Sequence, residues 1–356
     1  MTNNNSQQRY IPTGESNSGG FGHVIICNDT HLERKVAIKT VMDLTEKKRL
    51  HDEISALLML RSKHVVQLYD IIYSDDGQIH IVEEYIDGPD LFEYKNKIKK
   101  TSDLTAVLWQ ISSGIADIHK YGVVHRDIKP NNIKIDGEGI IKIFDFGLSR
   151  TIENSATVGF VGTPAFAAPE LFFDKKVINF TNAVDVFAFG VTALCLAGIE
   201  ELPAELKTIN KKLTTNPFNS SKFKMSTKMK GVLFKCLSQN PDERPTMQEV
   251  SSYLKKKILQ GTHKANVVFN GKGNFLDLNT PDVSLSLGDI GSLKIHYNQF
   301  DFVLENVRGE VSVNNRKASD GDILPGSCVI IIGGIHRHNN NRAFITFDIS
   351  HPEVVL

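Results

Sequence analysis

Within His125-Arg126-Asp127-Ile128-Lys129-Pro130-Asn131-Asn132 the chain places a carboxylate, an ammonium and an amide in close succession. A second carboxylate follows in Asp145-Phe146-Gly147. Phosphoryl transfer asks for that set: a group to orient an attacking hydroxyl, a cation near the moving phosphate, and two oxygen ligands for a divalent metal. Either short segment alone is a weak signal, since three-residue matches arise by chance. Their order, with Ala168-Pro169-Glu170 after them, is hard to obtain that way.

Elements that could position these groups are legible on both sides. Tyr10 to about Thr40 alternates apolar and polar residues around a Gly-rich turn, which predicts strands. Leu44 to Arg61 carries Leu50, Ile54, Leu57 and Leu58 at helical spacing. Val65–Tyr73 and Gln78–Tyr85 read as two strands joined by the turn Ser74-Asp75-Asp76-Gly77. A helix is expected over Leu104–His119. Ile133–Ile135 and Ile140–Ile143 form short strands around Asp136-Gly137-Glu138-Gly139. Beyond Pro169 the pattern is mostly helical to about Gln260. The texture then changes: Gln260 to Lys264 reads as a linker. After Val267 come short β-prone runs at Val283–Leu287, Leu293–Tyr297, Phe302–Leu304, Val311–Val313, Val329–Ile332 and Ala343–Phe347. The expected organisation is a disordered tail at 1–8, a large α+β domain at 9–260, a linker at 261–266, and a small all-β domain at 267–356.

Composition sets the outer bounds. A chain of 356 residues has room for two or three domains at roughly 100–200 residues each. Its 41 basic and 41 acidic side chains balance, so bulk charge gives no reason to expect a nucleic-acid partner. Cys27, Cys195, Cys236 and Cys328 are scattered without C-x-x-C spacing. That argues against a zinc site or a disulfide framework and fits a reducing, cytoplasmic location. Met1 to Gln8 is polar and lacks the apolar core of a signal peptide. The longest apolar stretch, Val184–Ile199, is short and carries Asp185, so a buried core helix is expected there and no membrane span.

With H-R-D-x-x-x-x-N, D-F-G and A-P-E in order, residues 9–260 resemble the eukaryotic-type serine/threonine protein kinase family. The resemblance implies a two-lobed protein-kinase-like fold: an N-lobe antiparallel β-sheet with a helix, then a mostly helical C-lobe. It implies ATP and Mg²⁺ (or Mn²⁺) as cofactors and a protein carrying Ser or Thr as substrate. Asn17-Ser18-Gly19-Gly20-Phe21-Gly22-His23-Val24 is similar to the family's Gly-rich loop, which places Gly19, Gly20, Phe21, Gly22 and Val24 around the nucleotide. Asn17 departs from the first glycine of that pattern. Val36-Ala37-Ile38-Lys39 resembles the strand whose alanine lies at the base and whose lysine pairs with the phosphates. Glu53 is the expected helix partner of Lys39, with Asp52 as competitor. Ile81 to Tyr85 resembles the strand and hinge, putting the backbone of Glu84 and Tyr85 against adenine. Glu83 then stands at a position normally apolar or Thr. Asp90 matches a ribose-contacting position; a solvated turn aspartate is the other reading. Lys134 replaces an apolar residue under the base, where its stem could cover the ring with the ammonium in solvent.

The same resemblance gives the catalytic residues. Asp127 orients the substrate hydroxyl, Lys129 contacts the γ-phosphate, Asn132 and Asp145 hold the metal, and Thr163 hydrogen-bonds Asp127 and Lys129. Lys129 and Thr163 favour Ser/Thr over Tyr specificity. Leu57, Leu68, His125 and Phe146 map to a stack of side chains assembled in the active state, Asp185 to a buried anchor, and Glu170 to a partner of Arg244. Arg126 is expected to bind a phosphate on the activation loop. The candidates are Ser149, Thr151, Ser155, Thr157 and Thr163, with Thr157 favoured.

The segment 311–326 faintly resembles the last strands of a forkhead-associated domain, which would make a phosphoprotein the partner. The Gly-Arg and Ser-x-x-His elements of such domains are not found, which favours a β-rich docking or autoinhibitory module. His336-Arg337-His338 reads as a solvated loop, because two histidines are too few for a closed zinc site. Two rivals to a protein kinase are kept. A pseudokinase scaffold draws on Asn17, Glu83 and Lys134, and a kinase for a non-protein acceptor draws on the irregular segment after Gly198.

Overall fold

The computed structural model describes residues 9–19, 22–41, 47–74, 78–146, 149–151, 164–172, 181–199, 201–207 and 213–351. The chain divides into two compact units, residues 1–251 and 252–356.

The first unit opens with a five-stranded antiparallel sheet. Its strands are β1 (Tyr10–Gly19), β2 (Gly22–Asp29), β3 (Arg34–Val41), β4 (Leu68–Tyr73) and β5 (Ile79–Glu84). The order is β1-β2-β3-β5-β4, so β3 and β5 are central, and Val36, Ile81 and Val82 are fully buried. Although β1 and β4 are opposite edges, the Tyr10 hydroxyl donates to Asp70 Oδ2 at 3.0 Å. Arg9 reaches Asp70 at 3.2 Å and grips both oxygens of Asp29 at 2.8 Å. The right-handed twist of the strands thus curls the sheet until its edges meet. Hydrogen bonds from Arg9 pull the Asp29 carboxyl down to about 2, against the opposing effect of burial.

Between β3 and β4 lies helix α1 (Lys47–Met59). Ile54, Leu57 and Leu60 are buried, whereas Leu58 is exposed. The expected stripe included Leu58; the buried face instead follows a three-residue step, which leaves Leu58 at its rim.

The rest of the first unit is mostly helical, with α2 (Leu91–Tyr94), α3 (Thr101–Lys120), α4 (Ala183–Leu196), α5 (Thr227–Cys236) and α6 (Met247–Leu259), the last running into the second unit. Helix α4 is buried on nearly all sides, as its continuous apolar sequence requires. Among the described residues no helix is long and apolar enough to cross a membrane. Two short ladders pair β6 (Val123–Val124) with β9 (Arg150–Thr151), and β7 (Ile133–Ile135) with β8 (Ile141–Ile143). The β7–β8 turn is closed by Asp136, whose Oδ1 accepts from the backbone N–H of Glu138 and Ile140.

The second unit is built on a six-stranded and a three-stranded sheet. The larger has the order β11 (Lys272–Leu276), β10 (Ala265–Phe269), β18 (Ala343–Ile349), β17 (Ser327–Ile332), β15 (Val311–Val313), β16 (Arg316–Lys317). The smaller runs β12 (Asp282–Leu287), β13 (Gly291–Tyr297), β14 (Phe302–Gly309). Strict alternation along β13 buries Leu293, Ile295 and Tyr297, which join Val267, Leu304, Ile330, Ile345 and Phe347 in one core. The hairpin of β10 and β11 was not among the expected runs. Its signal is Asn270-Gly271, both at positive φ, the turn pair that suits the twist of a two-residue hairpin. His336 and Arg337 lie against Glu310, and among the described residues no group of His, Cys, Asp and Glu is arranged to hold a metal.

Candidate active site

Strand β3 carries Lys39 opposite Val24 on one side and Ile81 on the other, while Ala37 pairs with Ile26 and Glu83. The β1–β2 hairpin closes with Gly19 facing Gly22. Gly20 and Phe21 lie outside the described residues, as do Thr163, Ser155, Thr157 and the tail 1–8. Lys39 is largely buried, and its ammonium is 3.3 Å from Asp145 Oδ1. Two residues more than a hundred positions apart in sequence are thereby joined across the first unit. Glu53 lies on α1, and its side chain is outside the described atoms.

The loop that holds Asp127 hangs from α4. The buried Asp185 carboxylate accepts the backbone N–H of His125 and of Arg126, both at 2.8 Å, and bonds His119 Nε2 at 3.0 Å. Burial alone would raise this carboxyl; the His119 hydrogen bond and the neighbouring His119 and His125 hold it below the ordinary aspartate range. That anchor offsets the strain of Arg126, which has φ +73°. Asp145 is also left-handed, at φ +65°. Such conformations cost roughly 1–2 kcal/mol per residue, so both persist only because the surroundings fix them.

Around Asp127 the polar groups converge. Lys129 Nζ is 2.7 Å from Asp127 Oδ2, and the Asn132 amide donates at 2.9 Å to both that oxygen and the Asp127 carbonyl. With its N–H groups used there, Asn132 keeps a carbonyl oxygen as its remaining ligand atom. Phe146 is fully buried against the His125 ring, centroids 4.7 Å apart, and its carbonyl accepts from the backbone and hydroxyl of Ser149. Asp127, Lys129 and Asn132 thus form one polar cluster and Lys39 and Asp145 another, and the Phe144 N–H, one residue before Asp145, donates to Asn132 O at 3.1 Å.

The segment expected to meet adenine is more constrained than the sequence suggests. The Glu84 carboxylate is tied to Lys142 at 2.7 and 3.0 Å and accepts the Gln67 backbone N–H at 3.2 Å. Its backbone N–H donates to Gln67 O. Lys35 stands over the Tyr85 ring at 5.3 Å. Asp90 caps α2: one oxygen accepts the Glu93 N–H at 2.9 Å and the other accepts Asn131 Nδ2 at 3.0 Å. Lys134 is only half exposed, and its ammonium turns inward to Ile86 O at 3.4 Å. Lys142 escaped the reading of the sequence. The signal for it is a lysine inside the apolar run Ile140 to Phe144, since a charged side chain in a buried strand needs a partner.

A second structural pair joins Glu170 and Arg244. Arg244 grips Glu170 with Nη1 and Nη2 at 2.6 and 2.7 Å, donates further to Ala183 O and Ser238 O, and lies over the Phe187 ring.

Known proteins are similar to this chain over about two thirds of its length. The chain is 34% identical over 246 residues to the carbon catabolite-derepressing protein kinase of Saccharomyces cerevisiae, covering 65% of this chain and 37% of that one. It is 32% identical over 246 residues to CBL-interacting serine/threonine-protein kinase 8 of Arabidopsis thaliana, covering 65% and 54%. Over 252 residues it is 28% identical to the probable serine/threonine-protein kinase mkcB of Dictyostelium discoideum, covering 68% and 35%. The chain thus spans roughly a third to a half of the length of these relatives. The family profile for the protein kinase domain matches residues 15–254, the greater part of the chain, which therefore belongs to the protein kinase family.

Proposed function

We propose that the chain transfers the γ-phosphate of ATP to Ser or Thr hydroxyls of proteins, with magnesium or manganese as the metal and a cytoplasmic location. The observation that supports this reading is the bonding of Lys129 and Asn132 to Asp127 and of Lys39 to Asp145, with the Phe144 N–H, one residue before Asp145, donating to Asn132 O. A pseudokinase scaffold has no need of the complete set. All four cysteines are unpaired thiols, which supports a reducing compartment.

In this reading the protein's work is positioning and charge. The Asp127 carboxylate accepts the proton of the substrate hydroxyl and aims its oxygen at the phosphorus. Held by Lys129 and Asn132, that carboxylate keeps one orientation. Lys129 is the cation nearest the transferred phosphate, and Lys39, steadied by Asp145, pairs with the phosphates further along the chain of ATP. The hard oxygens of Asn132 and Asp145 suit a divalent ion bound by few protein ligands together with phosphate oxygens. When bound, that ion neutralises charge developing on the phosphates. The Gly19–Gly22 hairpin lets backbone N–H groups approach the same oxygens. Autophosphorylation at Thr157 would give Arg126 a phosphate partner and raise activity. Glu53 is the proposed helix partner of Lys39. The backbone of Glu84 and Tyr85 receives adenine. Asp90 and Asn131, already bonded to each other, edge the ribose. Residues 267–356 serve as a docking or autoinhibitory module for a protein partner.

The test is transfer of label from γ-labelled ATP to a generic protein acceptor, with Asp145→Ala and Lys39→Ala beside the wild type. Label on Ser or Thr from the wild type alone supports the reading. ATP binding without transfer by the wild type would favour the scaffold.

A further inference from the structure

Acidic and basic side chains balance over the whole chain, but they are not evenly spread. Lys95, Lys97, Lys99 and Lys100 follow one another between Glu93 and Asp103, and from Leu206 to Pro241 lysine recurs with no Asp, Glu or Arg. The fold of the first unit brings these two stretches together at the end of α4. Lys222 donates its backbone N–H to Ala197 O at 3.3 Å, and its side chain lies across Gly198, where a Cβ would stand 2.6 Å from Lys222 Cδ. Burial pushes the Cys195 thiol up and the charge of Lys95 opposes it, so Lys95 sits near the same helix end. Thr101, next to Lys100, donates its hydroxyl to Lys224 O at 3.4 Å. The two lysine stretches are therefore neighbours on the surface. None of these residues is among those proposed for catalysis or nucleotide binding.

Lys97, Lys99, Lys100, Lys222 and Lys224 are exposed, and among the described residues no carboxylate lies within ion-pair distance of any of them. Asp103, the acid next along the chain, is engaged in capping α3: it accepts the backbone N–H of Lys99 at 3.2 Å, that of Lys100 at 2.9 Å, and the Ser102 hydroxyl at 3.1 Å. Glu93 and Glu201, which flank the face, are exposed and form no ion pair with these lysines. Lys97 leans over the Tyr94 ring at 5.8 Å and Lys222 over the Phe223 ring at 5.1 Å, neutral partners that leave each charge in place. Beside them Phe92 is 53% exposed, with Lys95 Nζ 4.0 Å from its ring centroid.

We propose that this face of the first unit docks on a membrane leaflet containing anionic phospholipid. The two stretches supply lysine alone. An ammonium on a flexible stem is a point charge, which suits a field of mobile headgroups, whereas fixed recognition of one phosphate or of a nucleic-acid backbone favours the forked donors of arginine. The charges are spread along two stretches of surface, which matches a broad partner better than a single small anion. Phe92 adds an exposed ring beside the charges, of the kind that enters the boundary between headgroups and acyl chains. Such docking rests on surface charge and one ring, and requires no membrane-spanning helix.

The experiment is sedimentation of the full chain with vesicles of phosphatidylcholine, with and without phosphatidylserine, beside K222Q/K224Q and K97Q/K99Q/K100Q. All five side chains are exposed, and Trp109 fluorescence melts check that each variant folds. Wild type should pellet with the phosphatidylserine vesicles alone and be released by added salt. Each lysine near such a surface is worth roughly fivefold in binding, so the double variant should bind about 25-fold more weakly and the triple variant about 100-fold. K222R/K224R, which keeps the charge, should bind like the wild type. So should K272Q/K317Q, which removes two exposed charges from the second unit. Equal binding to both kinds of vesicle, binding to neither, or equal weakening in K272Q/K317Q and K222Q/K224Q overturns the proposal. Capture by polyglutamate or a single-stranded oligonucleotide without vesicle binding assigns the face to another polyanion and overturns it as well.

Discussion

Glu170→Gln should unfold the first unit well before the wild type, although the side chain keeps its size and shape. Arg244 has no exposed side-chain surface, and Glu170 is 19% exposed. The guanidinium makes two short bonds to Glu170, and its other partners, Ala183 O and Ser238 O, are neutral carbonyls. The amide would keep one acceptor, set an N–H₂ against the other guanidinium arm, and leave the buried charge uncompensated. Breaking a buried ion pair costs roughly 3–5 kcal/mol. The partial exposure of Glu170 and the two surviving carbonyls put this case at the lower end, about 3 kcal/mol. For a unit of this size, about 2–4 °C of melting temperature is lost per kcal/mol, so Tm should fall by roughly 6–12 °C. The assay is built into the chain: Trp109 is its one tryptophan, is buried in α3, and reports the first unit without the second. Urea unfolding followed by Trp109 fluorescence gives the free energy, and Arg244→Met with the double variant completes a cycle. A coupling of about 2 kcal/mol or more is expected. A midpoint for Glu170→Gln indistinguishable from wild type, or a coupling below about 0.5 kcal/mol, would refute the reasoning.

Other expectations concern the anchors and the titrating groups. Asp185→Asn sets an amide donor against one of two backbone N–H groups that now point at a carboxylate. It should cost about 2–4 kcal/mol and abolish label transfer, read by the same fluorescence and by the transfer assay. His64 is buried, which lowers its pKa from 6.5 to about 4, so the unfolded chain takes up its proton first. Stability of the first unit should fall as pH drops from about 6.5 to 4, at no more than about 1.4 kcal/mol per pH unit, and His64→Asn should flatten that slope in urea melts. The Asp29 carboxyl, lowered to about 2, works at more acid pH: its contribution is complete above 3.8 and is lost as pH falls through about 2. That contribution is worth about 2 kcal/mol, and Arg9→Ala should remove it. An unchanged acid profile in Arg9→Ala would contradict the bidentate contact.

Much of the site was legible because its parts are local in sequence. Asp127, Lys129 and Asn132 fall within six residues, and their contacts follow from one loop. The strands of the second unit were visible through alternation, as in β13. What escaped is what the chain brings together over distance. Arg9, Asp29 and Asp70 meet only because the sheet curls on itself, and nothing in their spacing announces it. The Glu84–Lys142 pair likewise depends on β8 lying beside the segment that leads into β4, through Val66 N–H to Ile143 O and Ile143 N–H to His64 O. Lys134 was expected to send its ammonium into solvent, but the carbonyl of Ile86 is within reach and retains it. Leu58 shows the limit of periodicity: a helical pattern marks a face, while the neighbouring sheet decides how wide that face is.

The most direct test of the central claim is Asp127→Asn, with phosphate transfer and ATP binding measured on the same preparation. The account predicts a fall of about 10²–10⁴-fold in kcat, since the amide cannot accept the hydroxyl proton, with KM for ATP changed less than about threefold. A variant that transfers phosphate at the wild-type rate, or one that loses ATP binding along with activity, would contradict the role assigned to Asp127.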